Sequence, residues 1–154
     1  MIIASNIEKS FGPQVLFDGV SFLINPGERI GLVGKNGTGK STLFRMILGN
    51  EKQDAGTLST PKGYRIGALE QHIHFTQPTV LAECIQALPA EKQWDHYKAE
   101  IILSGLGFTE QDFQKDPTTF SGGFQVRINL CKALLADPNM LLLDEPTNYL
   151  DLLS

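Results

Sequence analysis

The first 34 residues, MIIASNIEKSFGPQVLFDGVSFLINPGERIGLVG, alternate apolar and polar positions and are cut at FGPQ and NPGE. Alternation at period two predicts half-buried strands, and Pro26-Gly27 suits a type II turn. The stretch therefore predicts two strands in an antiparallel ribbon, followed by a third. RIGLVG is almost wholly apolar after its Arg and predicts a short buried strand, whereas Leu43, Met46 and Ile47 of KSTLFRMIL recur at helical spacing. GTLST and YRIGALEQ predict two more strands. From Thr79 the period changes: TVLAECIQALP and EKQWDHYKAEIILSGLG predict helices, the second with Trp94, Tyr97 and Ile101 in one stripe expected to pack inward. SGGFQVRINLCKALLADP predicts a further helix from near Ser121 to Asp137-Pro138, with Val126, Leu130 and Leu134 on its buried face. MLLLDEP closes the pattern as a short apolar strand.

Strands alternating with helices, and apolar runs that end in polar residues, predict an α/β fold with a mostly parallel sheet covered by helices. Ligands of such sheets bind at the carboxyl ends of the strands. That rule puts the loop after Gly34 and the acids Asp144 and Glu145 at one rim.

Composition narrows the function classes. The chain has 154 residues, 42% hydrophobic and 19% charged, which suits one soluble domain, and no apolar stretch is long enough to span a bilayer. The N-terminus lacks the apolar core of a signal peptide, so the expected location is the cytoplasm, with no direct membrane insertion. A net charge of −4 offers no bulk electrostatic case for nucleic acid. Cys84 and Cys131 lie far apart in apolar helical contexts and are expected to be reduced packing residues.

Three constellations carry chemistry. GLVGKNGTGKST places Gly34, Gly37 and Gly39 within six positions, and Gly34, Gly39, Lys40 and Ser41 fit G-x-x-x-x-G-K-[ST]. Glycines that would weaken regular structure serve a backbone that must wrap something. Between a strand and a helix start, the N–H groups can enclose an anion, Lys40 can reach outer phosphates and Ser41 can ligate magnesium. Asp144 and Glu145 follow an apolar strand, where adjacent acids need a cation or a proton. Successive side chains of an extended segment point opposite ways, which gives Asp144 a metal role and Glu145 a general-base role; the alternative is a capped turn. Ser121, Gly122 and Gly123 at a helix start form either another anion-binding terminus or a simple cap. His72-x-His74 lacks further ligands at suitable spacing, and an ordinary strand is expected there.

The order of GKNGTGKST, Gln71 in GALEQ, FSGG and MLLLDEPTNYLD resembles the ATP-binding cassette (ABC) ATPases over essentially the whole chain, and EPTNYLD resembles their ABC-F subfamily. The resemblance implies a P-loop NTPase core, with an N-terminal antiparallel β subdomain and an inserted helical signature subdomain. It implies ATP and Mg²⁺ as ligands. Gly34, Lys35, Asn36, Gly37, Thr38, Gly39, Lys40, Ser41 and Thr42 would form the Walker A loop, and Asp144 and Glu145 the Walker B pair. Gln71 would touch magnesium and the attacking water, and Ser121, Gly122 and Gly123 would contact the γ-phosphate held by the opposite cassette. Phe11 falls where the family stacks an aromatic on adenine, with a strand-end core residue as the alternative. Asp151 matches the aspartate that crosses the dimer interface, or is solvated surface.

The implied organisation is one partial cassette: 1–78 as β-rich part and Walker A core, 79–136 as helical signature subdomain, 137–154 as Walker B strand and interface loop. The family's next strand and its histidine would follow Ser154, which suggests a truncated cassette. The segment from Pro89 to Trp94 leaves no room for the helical arm that many ABC-F proteins insert. The implied partners are a second cassette, on the same chain or in a homodimer, and the ribosome. The implied activity is ATP binding, with hydrolysis when the cassette is complete and paired. The alternatives are the ATPase subunit of a membrane transporter and a nucleotide-binding fragment without turnover.

Overall fold

The computed structural model describes residues 1–69, 73–92 and 94–144. It divides into two compact units, 1–64 and one beginning at Arg65.

In the first unit, β1 (Ile2–Phe11) is the middle strand of an antiparallel sheet in the order β2-β1-β3, flanked by β2 (Gln14–Ile24) and β3 (Ala55–Ser59). The expected ribbon is therefore present. Alternation along β1 changes phase: Ile2 and Ala4 point inward, then Ile7 and Lys9. Asn6, at φ 48°, sits where the register shifts between Ala4 and Ile7, and an inserted residue of this kind moves every later side chain to the other face. Helix α1 (Lys40–Ile47) supplies Met46, which packs on Ala4 and Ile7 with Phe17, Phe22, Leu43 and Leu58 around them. Lys9 is buried because its ammonium is satisfied by Glu51 at 2.7 Å, the Lys52 carbonyl at 2.8 Å and Asp54 at 3.3 Å.

The buried strand expected from RIGLVG is not formed. Residues 28–35 have no regular structure, and Val33 is 94% exposed. An apolar run becomes a buried strand only where neighbouring strands offer ladder partners, and among the described residues none pairs with this segment.

In the second unit, β4 (Ile66–Ala68) pairs in parallel with β5 (Met140–Leu142), in the register Ile66↔Met140 to Ala68↔Leu142. Helices α2 (Val80–Ile85), α3 (His96–Gly105) and α4 (Gly122–Leu135) surround a core of Val80, Cys84, Leu103, Phe108, Ile128 and Cys131, among others. Both cysteines are buried free thiols, as the composition suggested. The helix stripes need correction. Leu134 is exposed and Leu130 half-buried, while Ile128, Cys131, Ala133 and Leu135 join Val126 as the buried residues of α4. Trp94, Tyr97 and Ile101 face solvent, with Trp94 91% exposed. The buried positions of α3 are Ala99 and Leu103, two residues or about 200° further round the helix. His74 lies in irregular structure rather than in a strand.

Candidate functional site

The glycine loop is built by its own chain. Gly37 and Gly39 have φ of 82° and 97°, in the left-handed region that side chains disfavour. A Cβ on Gly39 would stand 2.8 Å from Phe17 Cζ, and one on Gly34 would stand 2.7 Å from Thr38 Oγ1. The loop is closed by hydrogen bonds: Thr38 Oγ1 donates to the Lys35 carbonyl at 2.9 Å, and Lys40 Nζ donates to the carbonyls of Gly34 at 2.8 Å and Lys35 at 3.0 Å. Helix α1 starts on the last glycine, with Gly39 at its N-cap position and the Leu43 amide donating to the Gly39 carbonyl at 2.8 Å. The amides at the head of α1 and the positive end of its dipole favour an anion there. Thr42 is buried at the first turn.

The β1–β2 hairpin holds this loop from outside. Gln14 Nε2 donates to the Gly37 carbonyl at 3.4 Å, and Phe17 abuts Gly39. Phe11 is opposite Gln14 in the hairpin register, which puts its ring at the same hairpin end. Phe11 is 47% exposed, with the Lys9 ammonium 4.9 Å from its ring centroid. Phe11 is thus exposed at the strand end rather than packed in the core. Gln14 and Phe17 were missed in the sequence; their only signal was proximity to the FGPQ turn.

In the second unit, Asp144 is half-buried at a bend that follows β5. Glu145, Gln71 and Asp151 lie outside the described residues. Ser121 occupies the N-cap position of α4 with extended backbone (φ −61°, ψ 157°), yet its side chain makes no capping hydrogen bond. The turn is braced from behind. Phe108, Phe120 and Phe124 pack with ring centroids 5.1 to 6.0 Å apart, and Gln125 Nε2 donates to the carbonyls of Phe120 at 2.9 Å and Thr118 at 3.2 Å. Ser121 and Gly122 are exposed in front of that brace.

A buried acid, also missed in the sequence, stands beneath this helix. Burial raises the proton affinity of the Glu83 carboxyl, but the Lys132 ammonium and the amides of Thr76 and Gln77 outweigh that and hold it below the usual carboxylate range. An acid inside the otherwise apolar TVLAECI helix was its only signal.

The glycine cradle and helix terminus suit an anion such as a polyphosphate, and the Lys40 ammonium lies against the carbonyls of Gly34 and Lys35 in the same loop. Ser41, in the first unit, and Asp144, in the second, each carry an oxygen of the kind that hard cations take as a ligand. The family model described as ABC transporter matches residues 17–148. The chain belongs to the ABC transporter family. Its cassette is 32% identical over 182 residues to the probable ATP-binding protein YheS of Escherichia coli K12, covering 99% of the chain and 29% of YheS. It is 38% identical over 151 residues to the energy-dependent translational throttle protein EttA of the same strain, covering 96% of the chain and 27% of EttA. The cassette thus spans under a third of these relatives' length. Among solved structures, the dimeric bacterial ABC transporter cassette MJ0796 matches 98% of the chain and 76% of its own, with a TM-score of 0.79 at 24% identity. It was also solved as a dimer in a post-hydrolysis state bound to ADP and Pi, with a TM-score of 0.78 at 23% identity. These two likenesses establish the ABC ATPase fold. Within the family the cassette resembles the ABC-F type. No helix among the described residues is long and apolar enough to cross a membrane.

Proposed function

We propose that this cassette binds MgATP on residues 34–42 and hydrolyses it when paired with a second cassette, as an ABC-F-like cytoplasmic ATPase acting on the ribosome. The observation that carries the reading is the glycine loop, closed on itself and opening onto the head of α1. Lys40 meets the outer phosphates, and Phe11, exposed at the hairpin end, stacks on adenine. Ser41, Gln71 and Asp144 hold the metal, whose charge offsets that of the phosphates when bound. Glu145 orients water and accepts its proton, and Ser121 with its two glycines faces the nucleotide of the opposite cassette, where Asp151 crosses the interface. The parts 1–78, 79–136 and 137–154 then serve as phosphate-loop core, signature subdomain and Walker B segment. The translational role draws support from EttA, named a translational throttle protein.

Glu145→Gln tests this. It is expected to lower turnover by roughly 100-fold or more while ATP is retained and the paired form accumulates. Undiminished turnover would remove Glu145 from the role of base. Co-sedimentation with ribosomes in the presence of ATP tests the partner, and co-purification with a membrane protein instead would favour a transporter subunit.

A further inference from the structure

Glu83 is fully buried, and among the described residues no other carboxylate is. Its two oxygens serve different parts of the chain. Oε2 accepts from the backbone amides of Thr76 and Gln77, both at 2.8 Å, and from Thr76 Oγ1 at 3.4 Å. Oε1 accepts from Lys132 Nζ, on the third turn of α4. One side chain on α2 therefore ties a stretch without regular structure to the helix that starts at Ser121-Gly122-Gly123. The far end of α2 repeats the attachment, since the Gln86 side chain bonds Thr76 Oγ1 at 3.2 Å and Gln77 Nε2 at 3.3 Å.

An ion pair with one fully buried and one partly exposed partner is a poor stabiliser, because desolvation offsets much of the attraction, and an apolar pair of similar volume often serves stability as well. What the pair provides is geometry. Backbone amides fix the path of residues 76 and 77 whatever their side chains are, and a helix moves as a rod, so Lys132 carries any shift of that stretch to the signature turn. In the sequence, Thr76 and Gln77 follow Gln71 by five and six positions.

We propose that Glu83 is a positioning residue that, through Lys132, couples the Thr76–Gln77 stretch to the signature helix and sets the rate of ATP turnover rather than the affinity for ATP. This rests on the function proposed above. Glu83→Gln keeps an oxygen for the two amides but loses the ion pair, and Lys132→Met then removes the unpaired ammonium. The double variant Glu83→Gln/Lys132→Met thus retains the hold on 76–77 and cuts the tie to α4.

The test compares kcat, affinity for a fluorescent ATP analogue and melting temperature in the full natural chain. The double variant is expected to melt near the wild type, bind the analogue within about twofold and lose roughly 10- to 100-fold in kcat, the cost of a misplaced catalytic group. Wild-type kcat in the double variant overturns the coupling, as does a kcat loss matched by lost affinity and lowered melting temperature. If the double variant does not fold, Glu83→Gln/Lys132→Leu carries the same expectations and the same refutations. A wild-type chain that binds ATP without any turnover overturns the ATPase reading and this inference together, whereas the preceding outcomes strike the coupling alone.

Discussion

At the scale of single residues, the glycine loop is governed by what a Cβ or an ammonium does. Gly39→Ala would place a methyl against Phe17 Cζ at a φ of 97°, and left-handed strain alone costs about 1–3 kcal/mol. The variant is expected to lower the urea midpoint and weaken ATP-analogue binding together. Lys40→Ala differs, because it removes two bonds to loop carbonyls without adding strain. Loss of charge-assisted bonds of about 1.5–3 kcal/mol predicts analogue binding weaker by roughly 10- to 100-fold, with the midpoint less affected than in Gly39→Ala. Fluorescence titration of both variants checks the contrast, and equal losses of stability would contradict it.

At the scale of elements, the sequence was most legible where one local rule sufficed. The antiparallel ribbon, α1, the parallel strand ahead of Asp144 and the start of α4 at Ser121 all follow from alternation, helical spacing or a cap residue. It was least legible where burial depends on neighbours. RIGLVG is apolar but has no ladder among the described residues, and the face of α3 that turns inward is set by Ala99 and Leu103, not by its larger side chains. The Asn6 bulge was likewise invisible, since a phase change within a strand reads as imperfect alternation. It fixes a partner, however: a Cβ on Gly56 would lie 2.1 Å from the Asn6 carbonyl oxygen at a φ of 80°. Gly56→Ala is therefore expected to loosen the β1–β3 pairing, seen as faster amide exchange in both strands and little change in α3. A pH effect belongs to the 3₁₀ turn at Glu110–Gln114, where Thr109 and Asp112 form a reciprocal cap. Lys115, then the Thr109 hydroxyl and amide, hold the Asp112 carboxyl well below the usual carboxylate range. A depressed folded-state pKa contributes stability above the unfolded value and loses it as pH falls toward the folded one. The difference in urea midpoint between wild type and Asp112→Asn should thus shrink as pH drops from about 6 to about 2. A constant difference would show that the carboxylate's charge does not matter there.

At the scale of the whole molecule, Phe11 and the glycine loop belong to one compact unit, and Asp144 and the turn at Ser121 belong to the other. Nucleotide is expected to protect amides 34–43 from exchange at any protein concentration. Amides 121–125 should gain protection only when cassettes pair, which for separate copies of residues 1–154 means in a concentration-dependent way; concentration-independent protection in such copies would argue against an opposite-cassette role. The chain's single tryptophan is Trp94, which water already surrounds in the folded state. Its emission should therefore scarcely shift as the chain unfolds, leaving indole fluorescence blind to a transition that circular dichroism records in full. The same ring would respond strongly to anything that covers Trp94 itself, so a dye-free optical signal reports contacts at that spot and stays silent on stability.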